Sequence, residues 1–544
     1  MIIQAFEDSM CANPMNANYS SRPATLPLPM MILSSVLSLQ ACNSNNQEYD
    51  PNSRTASYAL PPATESPMAQ AINKHAEQHP GEHSGFLLLP EGLSAFVARV
   101  ALIHEARVSL DVQYYEFKDD TAGNLLASKL LEAADRGVRV RLLVDDVATR
   151  IDNPDILTLS KHPNMEIRVF NPVAGRSGFK KALEQVRNLG RINHRMHNKL
   201  LVADSLAMIT GGRNIADEYF SSTSVKFLDA DILVIGHLLP RAAATFDEYW
   251  NHPVSVPVSQ LMLDDDDSRT LEEIRAQIRK FLREHARSEF REALEKSEFS
   301  ERLTEGRLQF HWGPATLYSD PPEKALDKNL PEHELPGYHL KEALADTESL
   351  IRISSAYFVP GDPGVELFTG LARNGVDVGI LTNSLSSTDV AAVHAGYAPD
   401  RVRLMQGGVK LWELRPGADQ EQRRHLFQGS ASAALHAKTF VIDNNRSFIG
   451  SINMDSRSLR QNTEIGVLIE NTAINSELRQ LFDSWVTPDS AWKLSLGEEG
   501  EGDGLRWTAE EDGKTVTYEK DPDTSAWDRF VVWLLTFLPI ESQV

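Results

Sequence analysis

The sequence predicts an α/β protein made of two tandem βα domains that pack face to face with pseudo-twofold symmetry. Each domain is expected to have a mixed, mainly parallel sheet flanked by helices. Two observations predict this architecture: strands alternate with helices along the chain, and one motif occurs twice at a constant spacing. Alternation of this kind is typical of βαβ units, in which crossover helices join parallel strands.

The alternation is seen twice. In the first half, residues 91–106 predict a helix, Arg107–Phe117 a strand, Ala122–Asp135 a helix and Val138–Val144 a strand. The second half repeats part of this order, with a strand, a helix and a strand at Leu350–Phe358, Gly364–Arg373 and Val376–Thr382. Apolar runs of this length bounded by Gly or polar residues favour buried strands.

The second half of each unit repeats more sharply. His197-Asn198-Lys199 is followed by Asp204 and then by Gly211-Gly212-Arg213-Asn214. The second copy has His436-Ala437-Lys438, then Asp443, then Gly450-Ser451-Ile452-Asn453. The spacing is constant, because 436 − 197 and 453 − 214 both give 239. Internal repetition at one offset indicates a duplicated domain.

Residues two apart in a strand point to the same face, so His197 projects with Lys199, and His436 with Lys438. If the two units face each other, both imidazoles can reach one phosphorus from opposite sides. One histidine would then form a covalent phosphohistidine while the other protonates the leaving alcohol. The sequence by itself does not order the two histidines.

Other residues of the repeat are assigned to the same site. The two lysines with Asn214 and Asn453 would offset the charge on the phosphate oxygens. Asp231 and Glu464 follow the two motifs in comparable strands, and we expect them to bind the far imidazole nitrogens and fix the tautomers. Asp204 and Asp443 complete the catalytic motif, although their distance from the lysines favours bracing of the strand ends.

Composition and charge limit the function classes. Apolar residues make up 42% and charged residues 24%, which is ordinary globular composition. The net charge of −22 disfavours nucleic acid as a partner, since an acidic surface repels polyanions. Cys11 and Cys42 are the only cysteines, so a disulfide scaffold and a cysteine-based zinc site are excluded. No metal or other cofactor is expected.

The chain is predicted to begin with an address segment. Residues 1–41 combine Arg22, a short apolar run from Met30 to Leu39 and small residues before Cys42, as in a secretory signal peptide. Leu39-Gln40-Ala41-Cys42 also resembles a bacterial lipobox, which predicts lipidation of Cys42. An over-long start is the alternative, because internal methionines could initiate the chain.

The remaining boundaries follow from composition. We expect a linker at 42–84, a first domain at 85–255, a helical linker at 256–306, a second domain at 307–490 and a tail at 491–544. The tail predicts a hairpin around Asp512-Gly513. Its end, Phe530–Pro539, predicts either a packed helix or an interfacial helix inserted through Trp527, Trp533 and Phe537.

The doubled motif is similar to the signature of the phospholipase D superfamily over roughly residues 85–490. Several segments resemble the bacterial cardiolipin synthase C type in particular: Val112-Gln113-Tyr114-Tyr115, Arg195–Lys199, Gly211–Phe220, Leu381–Ser384 and Asn453–Leu459. One departure concerns the Gly-Ser pair that usually follows the motif. The second copy keeps it, with Ser451 assigned to phosphate binding, whereas the first has Gly211-Gly212, so the half-sites should not be equivalent.

The resemblance implies a metal-free transferase that condenses a phosphatidyl donor with phosphatidylglycerol to make cardiolipin. It implies His197 as the nucleophile and His436 as the acid and base. Phosphatidylglycerol or phosphatidylethanolamine would be the donor in a phospholipid membrane. The sequence does not give the oligomeric state, and a monomer with a pseudo-dimeric site is the expectation. With the lipobox, this predicts a lipid-anchored protein of the bacterial cell envelope, facing the periplasm.

Three other functions are weighed. A phospholipase D that hydrolyses phospholipids to phosphatidic acid uses the same scaffold, and only access of water to the phosphohistidine separates the two reactions. A nuclease would carry a basic, aromatic-interleaved groove. A non-enzymatic lipid-binding protein would be expected to lack at least one motif residue.

Four aromatic residues allow two interpretations, as an entrance for acyl chains or as strand core: Tyr114, Tyr115, Tyr357 and Phe358.

Overall fold

The structure is a computed structural model. It describes residues 54–79, 81, 83–147, 149, 154–172, 194–220, 227–261, 269–285, 287–326, 330–416, 435–497 and 504–537. The proposed signal segment, Cys42 and the acidic run at 264–267 lie outside the described residues.

The first domain is built on a nine-stranded sheet with the order β8-β4-β3-β2-β5-β6-β7-β1-β9. Its strands, β1 to β9 in chain order, are Ser84–Leu89, Ser109–Tyr114, Arg139–Asp145, Met165–Phe170, Leu200–Ala203, Ala207–Gly211, Asp231–Gly236, Ser255–Pro257 and His311–Gly313. The histidine of the first motif lies just before β5, and the glycines of that motif lie at the end of β6.

The second domain repeats this plan in a ten-stranded sheet with the order β10-β16-β15-β14-β11-β12-β13-β17-β18-β19. Its strands, β10 to β19, are Ala315–Ser319, Leu350–Ser355, Asp377–Asn383, Lys410–Leu414, Lys438–Ile442, Arg446–Gly450, Ile465–Glu470, Ala491–Leu496, Leu505–Glu511 and Lys514–Tyr518. The central strands β14, β15 and β16 correspond to β5, β6 and β7.

The sheets are mixed, as predicted, but they are not mainly parallel. Parallel pairing is limited to β2-β3-β4 in one sheet and β11-β12-β13 in the other. The motif strands pair antiparallel instead, through β5-β6-β7 and β14-β15-β16. Tight turns join β5 to β6 and β14 to β15, and only antiparallel neighbours can use such turns. Longer connections with a short helix lead on to β7 and β16, whereas crossover helices serve the parallel part.

Helices connect and flank the strands. In the first half they are Pro67–Ala76, Gly92–Glu105, Thr121–Asp135, Pro154–Leu159, Asp217–Phe220, Leu239–Trp250 and Val258–Leu261. Between the domains lie Leu271–Glu284, Glu289–Lys296 and Glu298–Thr304, and the first of these begins with the predicted Thr270–Glu273 capping box. The second half has Pro336–Ala345, Gly361–Arg373, Ala391–Tyr397, Asp400–Gln406, Ser456–Arg460, Thr472–Trp485 and Ala526–Leu535, with short 3₁₀ turns at Pro322–Ala325 and Glu332–Glu334.

The predicted linker at 42–84 is not a loose tether in its described part. Ser57 accepts hydrogen bonds from the side chains of Trp250 and Arg141, and the Thr55 carbonyl accepts one from Arg168. Ser66 then caps the helix Pro67–Ala76. Because buried guanidinium groups need acceptors, this segment is held against the first domain.

Two other boundaries differ from the prediction. Strand β9, expected in the second domain, pairs with β1 of the first sheet. The tail from 491 is not separate either, since β17 pairs with β13 and extends the second sheet. The hairpin predicted at Asp512-Gly513 is present between β18 and β19, with both residues at positive φ, as a tight type I′ turn requires.

The two domains share a hydrophobic core. One buried cluster joins Val202 and Met208 of the first sheet to Val441, Ile449 and Ile465 of the second. The chain from Thr55 onward clusters as one compact unit. Within the described part of the chain, no helix is long and apolar enough to cross a bilayer.

Candidate active site

Backbone hydrogen bonds join the two domains at the motif histidines. The His197 N–H donates to the Thr463 carbonyl of the second domain at 2.9 Å, and the His436 N–H donates to the Leu228 carbonyl of the first at 2.9 Å. Each histidine therefore begins its motif while its backbone is bonded to the segment that precedes a strand of the opposite domain, β16 for His197 and β7 for His436. This reciprocal exchange brings both imidazoles to the domain boundary.

The His197 side chain contacts a carboxylate from the other domain. Its Nδ1 lies 2.9 Å from Glu464 Oε2, and the glutamate is fully buried. Ser451 Oγ donates to the same carboxylate oxygen, and Asp320 accepts the Glu464 N–H at 2.9 Å. Asp320 is in turn bound by Lys324 Nζ at 2.7 Å. The contact expected between Glu464 and His197 is thus present, and hydrogen bonds from Ser451 and to Asp320 hold the glutamate in position.

The carboxylate beside His436 is Asp229, not Asp231 as the sequence analysis assigned. Asp229 Oδ2 lies 2.8 Å from His436 Nδ1. Asp231 instead forms buried ion pairs with Arg99 at 2.9 Å and Arg213 at 3.3 Å. Each imidazole thus faces a carboxylate that comes from the opposite domain.

Strand register explains the difference. Gly211 pairs with Asp231 in one sheet, and Gly450 pairs with Gly466 in the other. Asp231 therefore corresponds to Gly466, and the residue two places earlier, Asp229, corresponds to Glu464. Both aspartates lie on one strand face because of the period of two. Only the ladder shows which of them lies at the glutamate's position.

The motif lysines are buried beside their histidines. Lys199 Nζ donates to the His197 carbonyl at 2.7 Å and lies 5.4 Å from the centroid of the Tyr115 ring. Lys438 Nζ donates to the His436 carbonyl and lies 3.0 Å from His436 Nδ1. The two ammonium groups are thus held on the faces that carry the imidazoles, as the alternation of the strand predicts.

Burial shifts the pKa values of the site strongly. It lowers the pKa of His197 and of His436 well below the ordinary value, and the neighbouring lysines lower both further. Burial likewise lowers the pKa of Lys199 to about 7 and that of Lys438 to about 8.

The carboxylates shift in the opposite direction. Burial raises the pKa of Glu464 to about 7, although Lys199 and the Ser451 hydroxyl oppose this effect. Burial also raises the pKa of Asp229, against the field of Lys438 and Arg213. Near neutral pH the site therefore holds neutral imidazoles, while Glu464, Lys199 and Lys438 are close to their own titration points.

Ser451 does not match its predicted place in phosphate binding. Its hydroxyl donates to Glu464 and also accepts the Ile465 N–H at 3.0 Å, and the residue is fully buried. In the first half-site a Cβ on Gly212 would lie 2.2 Å from Asp229 Oδ1, so a serine does not fit there. The two half-sites thus differ, as predicted, and the difference is in the groups that contact the two carboxylates, Ser451 beside Glu464 and Gly212 beside Asp229.

Asn214 and Asn453 are both buried in the site region. Asn214 Nδ2 donates to the Tyr219 hydroxyl at 2.8 Å. The side-chain oxygen of each asparagine is buried and has no hydrogen-bond partner in the described part of the chain. Their contact with a substrate phosphate stays a prediction.

Asp204 and Asp443 brace strand ends and do not belong to the reacting groups. Asp204 accepts the N–H groups of Arg107, Val108 and Ser109, at the start of β2. Asp443 binds the N–H groups that begin β11 in the same way. Both have φ of 52°. Assigning them to the catalytic set is therefore corrected, whereas the expectation of bracing agrees with the structure.

Aromatic rings line both imidazoles, and sequence reasoning assigned only one of them to this region. Tyr115 packs edge-on against His197, with centroids 5.2 Å apart. Tyr219 lies edge-on to His436 at 5.0 Å, and Phe227 stacks on the same ring at 5.6 Å. Phe227 lies outside the repeated motif, so the repeat gives no signal for it.

The other aromatic residues of the sequence analysis divide between core and site. Tyr114 and Phe358 are buried core residues, and Tyr114 also accepts a hydrogen bond from Arg99. Tyr357 is half-buried, and its hydroxyl lies 3.0 Å from both Asp389 oxygens. Arg195, which precedes His197, forms a buried pair with Asp145 at 2.6 Å and was not singled out as a support of the motif.

One protein family matches both halves of the duplicated chain. The family described as "Cardiolipin synthase, PLD-like domain" matches twice, at residues 100–248 and 340–486. These two matches contain the first and the second motif, respectively. Together they cover more than half of the chain.

Individual relatives match most of the sequence. The chain is 38% identical over 488 residues to cardiolipin synthase C of Escherichia coli, covering 87% of this chain and 99% of the relative. It is 26% identical over 411 residues to cardiolipin synthase A of Pseudomonas syringae, covering 74% of this chain and 67% of the relative. Among solved structures, the phosphatidylserine synthase of Haemophilus influenzae matches with a TM-score of 0.53 at 14% identity, covering 87% of this chain and 99% of that one. This last likeness concerns the fold.

Proposed function

Because this chain belongs to the family of cardiolipin synthases with phospholipase D-like domains, we propose that it is a phosphatidyltransferase that makes cardiolipin through a phosphohistidine intermediate. The observation that carries this proposal is the pair of motif histidines at the domain boundary. Each ring has a carboxylate of the opposite domain at Nδ1, at 2.9 Å for His197 and 2.8 Å for His436. A site with two such imidazoles serves two successive displacements at one phosphorus.

The first displacement uses His197 as the nucleophile. Its Nδ1–H donates to ionised Glu464, which leaves the Nε2 lone pair for attack on the donor phosphorus. The new P–N bond replaces the P–O bond to the leaving alcohol. His436 supplies the proton that this alcohol takes up. A bound phosphodiester adds negative charge beside the rings and so raises the pKa of the imidazolium that acts as the acid.

The contacts of His436 support its part as acid and base. Its Nδ1 lies close to both Asp229 and Lys438 Nζ, at 2.8 and 3.0 Å. The Asp229 carboxylate beside Nδ1 stabilises the imidazolium that gives a proton from Nε2 to the leaving alcohol. The neutral ring that remains has a free Nε2, which takes up the acceptor's proton in the second step.

The second displacement reverses the first. The acceptor's glycerol hydroxyl gives its proton to His436 and attacks phosphorus, and the P–N bond to His197 breaks. Lys199 and Lys438 offset the charge of the phosphoryl oxygens in both steps. Phosphatidylglycerol is the proposed acceptor, and phosphatidylglycerol or phosphatidylethanolamine the donor.

Incubation with defined phospholipids tests the reaction. We expect cardiolipin and a released small alcohol by mass spectrometry when phosphatidylglycerol is supplied, with full activity in EDTA. His197→Ala and His436→Ala should each lose turnover, whereas His104→Ala, at an exposed histidine far from the motifs in sequence, should keep it. Phosphatidic acid as the sole product would show a hydrolase instead, and cardiolipin formation by the His197 variant would refute the mechanism.

Stereochemistry at phosphorus tests the covalent intermediate separately. Two in-line displacements each invert configuration, so the overall reaction with a chiral phosphorothioate donor should proceed with retention. Net inversion would mean a single direct displacement, in which neither histidine is phosphorylated.

The proposed location is a bacterial membrane facing the periplasm, with Cys42 lipidated. The family acts on membrane phospholipids, and the lipobox-like segment supports anchoring. Intact-mass analysis of the membrane-extracted protein tests this, since the proposal requires a chain that begins at a lipidated Cys42. An unmodified cysteine would exclude the anchor.

A further inference from the structure

The C-terminal helix Ala526–Leu535 exposes an apolar face. Ser525 and Asp528 form a capping box at its start. Its large exposed side chains extend to the residue just beyond the helix: Trp527 (58% exposed), Phe530 (46%), Trp533 (56%), Leu534 (51%) and Phe537 (67%). We call these five residues the aromatic face. Contiguous apolar patches of this kind mark interaction sites.

The arrangement is the reverse of an ordinary surface helix. Each of the five side chains lies three or four residues from another member of the set, so they share one side of the helix. Neighbouring rings are in contact, with centroids 5.6, 5.9 and 4.9 Å apart along the face. The two charged residues of the helix are not part of this face. Asp528 caps the start of the helix, and Arg529 donates a hydrogen bond to the Thr524 carbonyl. Solvent therefore meets a strip without charge.

The opposite side of the helix anchors it near the candidate active site. Val532 and Leu535 pack in a cluster with Leu385, Ala391 and Ala395. Asp389, on the segment between these residues, lies 3.0 Å from the Tyr357 hydroxyl. The field of Lys438 also lowers the pKa of Asp389, although burial raises it overall. One short segment thus connects the helix with the neighbourhood of the second motif.

We propose that the aromatic face docks this protein on the surface of a phospholipid bilayer, with the segment that carries Asp389 between the docked helix and the second motif. Tryptophan favours the membrane–water interface, because its ring is apolar and its N–H stays hydrated. The helix is too short to span a bilayer but has the length and sidedness to lie in its surface. The sequence continues with apolar Leu538, Pro539 and Ile540.

A bilayer fits this face better than a second copy of the chain. Five side chains fall well short of the roughly 20–30 residues per partner in a stable protein interface. A bilayer requires no matching surface, so a small apolar strip is sufficient. The proposal rests on the proposed function only in that a phospholipid substrate places the enzyme at such a surface.

Charge predicts how the docking responds to salt. The chain carries a net charge of −22, so it is not drawn to anionic lipid by its overall charge. Apolar insertion is not screened by salt, whereas repulsion between like charges is. Binding to anionic vesicles should therefore hold or strengthen at high salt.

Tryptophan quenching tests the docking directly. The full-length Cys42→Ser protein, which removes any lipid on that residue, is titrated with phosphatidylcholine–phosphatidylglycerol vesicles that carry brominated acyl chains. We expect quenching of Trp527 and Trp533, identified by its loss in a Trp527→Phe/Trp533→Phe variant. Phe530→Ser/Phe537→Ser keeps every tryptophan but should weaken vesicle affinity at least tenfold. Phe530→Leu/Phe537→Leu should restore most of it.

Matched controls separate docking from folding and from catalysis. Tyr58→Ser removes an exposed ring outside the aromatic face and should bind vesicles normally, as should His197→Ala. The double serine variant should keep its circular dichroism spectrum and its turnover of short-chain phosphatidylglycerol dispersed as monomers. If neither the unsubstituted protein nor any variant turned over phospholipid while vesicle binding stayed intact, the proposed function would be refuted and the docking proposal would stand.

Two results would overturn the docking proposal. One is unchanged bromolipid quenching and vesicle affinity in the double serine variant. The other is concentration-dependent self-association that this variant abolishes while vesicle binding stays the same, which would make the aromatic face an interface between copies of the chain.

Discussion

A single serine distinguishes the two half-sites. Ser451 binds the carboxylate that faces His197, whereas Gly212 leaves room for Asp229 to approach the same backbone position. A hydroxyl donor stabilises the ionised form of a carboxylate. The two carboxylates are thus supported by different donors, a side-chain hydroxyl for Glu464 and the Ala230 N–H for Asp229. This difference matches the separate parts proposed for the two rings.

The titrating groups predict a narrow pH optimum. Glu464, with its pKa raised to about 7, accepts the imidazole proton only when ionised, so kcat/KM should fall as the pH drops below about 7. Lys438, with its pKa lowered to about 8, loses its charge above that pH, and Lys199 loses it earlier, so activity should also fall on the alkaline side. A pH–rate profile measures both limbs.

Glu464→Gln identifies the acidic limb. The variant should lose about 100-fold in kcat/KM, and the fall below neutral pH should disappear, because glutamine does not titrate. Glu477→Gln is the matched control. Glu477 Oε1 lies 2.9 Å from His311 Nε2, and neither residue belongs to a motif. An unchanged acidic limb in the Glu464 variant would assign that limb to another group.

Ser451→Ala tests the support of Glu464. Loss of the hydroxyl donor should raise the pKa of Glu464 further, so the acidic limb should move to higher pH with a loss in kcat of less than tenfold. Ser447→Ala, at a buried serine on strand β15, which ends just before Ser451, should leave the profile in place. Equal profiles for both variants would show that the Ser451 contact does not tune the glutamate.

At the scale of the element, the aspartate that ends each copy of the motif has a structural role. Asp204 and Asp443 occupy left-handed turns after β5 and β14, where each binds backbone N–H groups at the start of the neighbouring strand. One side chain thus closes a turn and aligns a second strand. The same residue type recurs in both copies because both sheets need this junction.

Asp204→Ala should therefore lower stability rather than chemistry. Removing a buried acceptor of several N–H groups should reduce the free energy of unfolding by about 2–4 kcal/mol, while kcat of the folded protein stays within twofold. Denaturant titration with an active-site count measures both quantities. Asp483→Ala, at an exposed helical position, is the control. A specific loss of kcat without loss of stability would return Asp204 to the catalytic groups.

At the scale of the whole molecule, the active site and the domain boundary are the same structure. The reciprocal backbone bonds at His197 and His436 and the crossed carboxylate contacts all join one domain to the other. The shared core adds apolar burial from both sheets. Separation of the domains would therefore dismantle the site and expose the core together.

This coupling predicts one unfolding transition for both domains. Met208→Ala in the first sheet and Ile449→Ala in the second should each cost about 2–5 kcal/mol and shift the same calorimetric peak, because both side chains lie in the shared core. Activity should be lost in step with that peak. Two peaks, of which each variant moves only one, would show that the domains unfold independently.

The sequence by itself determined the features that depend on local pattern: the duplication, the paired histidines and lysines, the helix–strand order, the capping box and the hairpin turn. Tertiary structure decided the features that depend on which strands become neighbours. Asp229 and Asp231 share a strand face, so only the ladder with Gly211 shows which of them corresponds to Glu464. Strand pairing likewise decided that only three strands of each sheet run parallel, that β9 joins the first sheet, and that Ser451 contacts Glu464. The sequence of a single strand does not show which distant strand it will pair with or in which register.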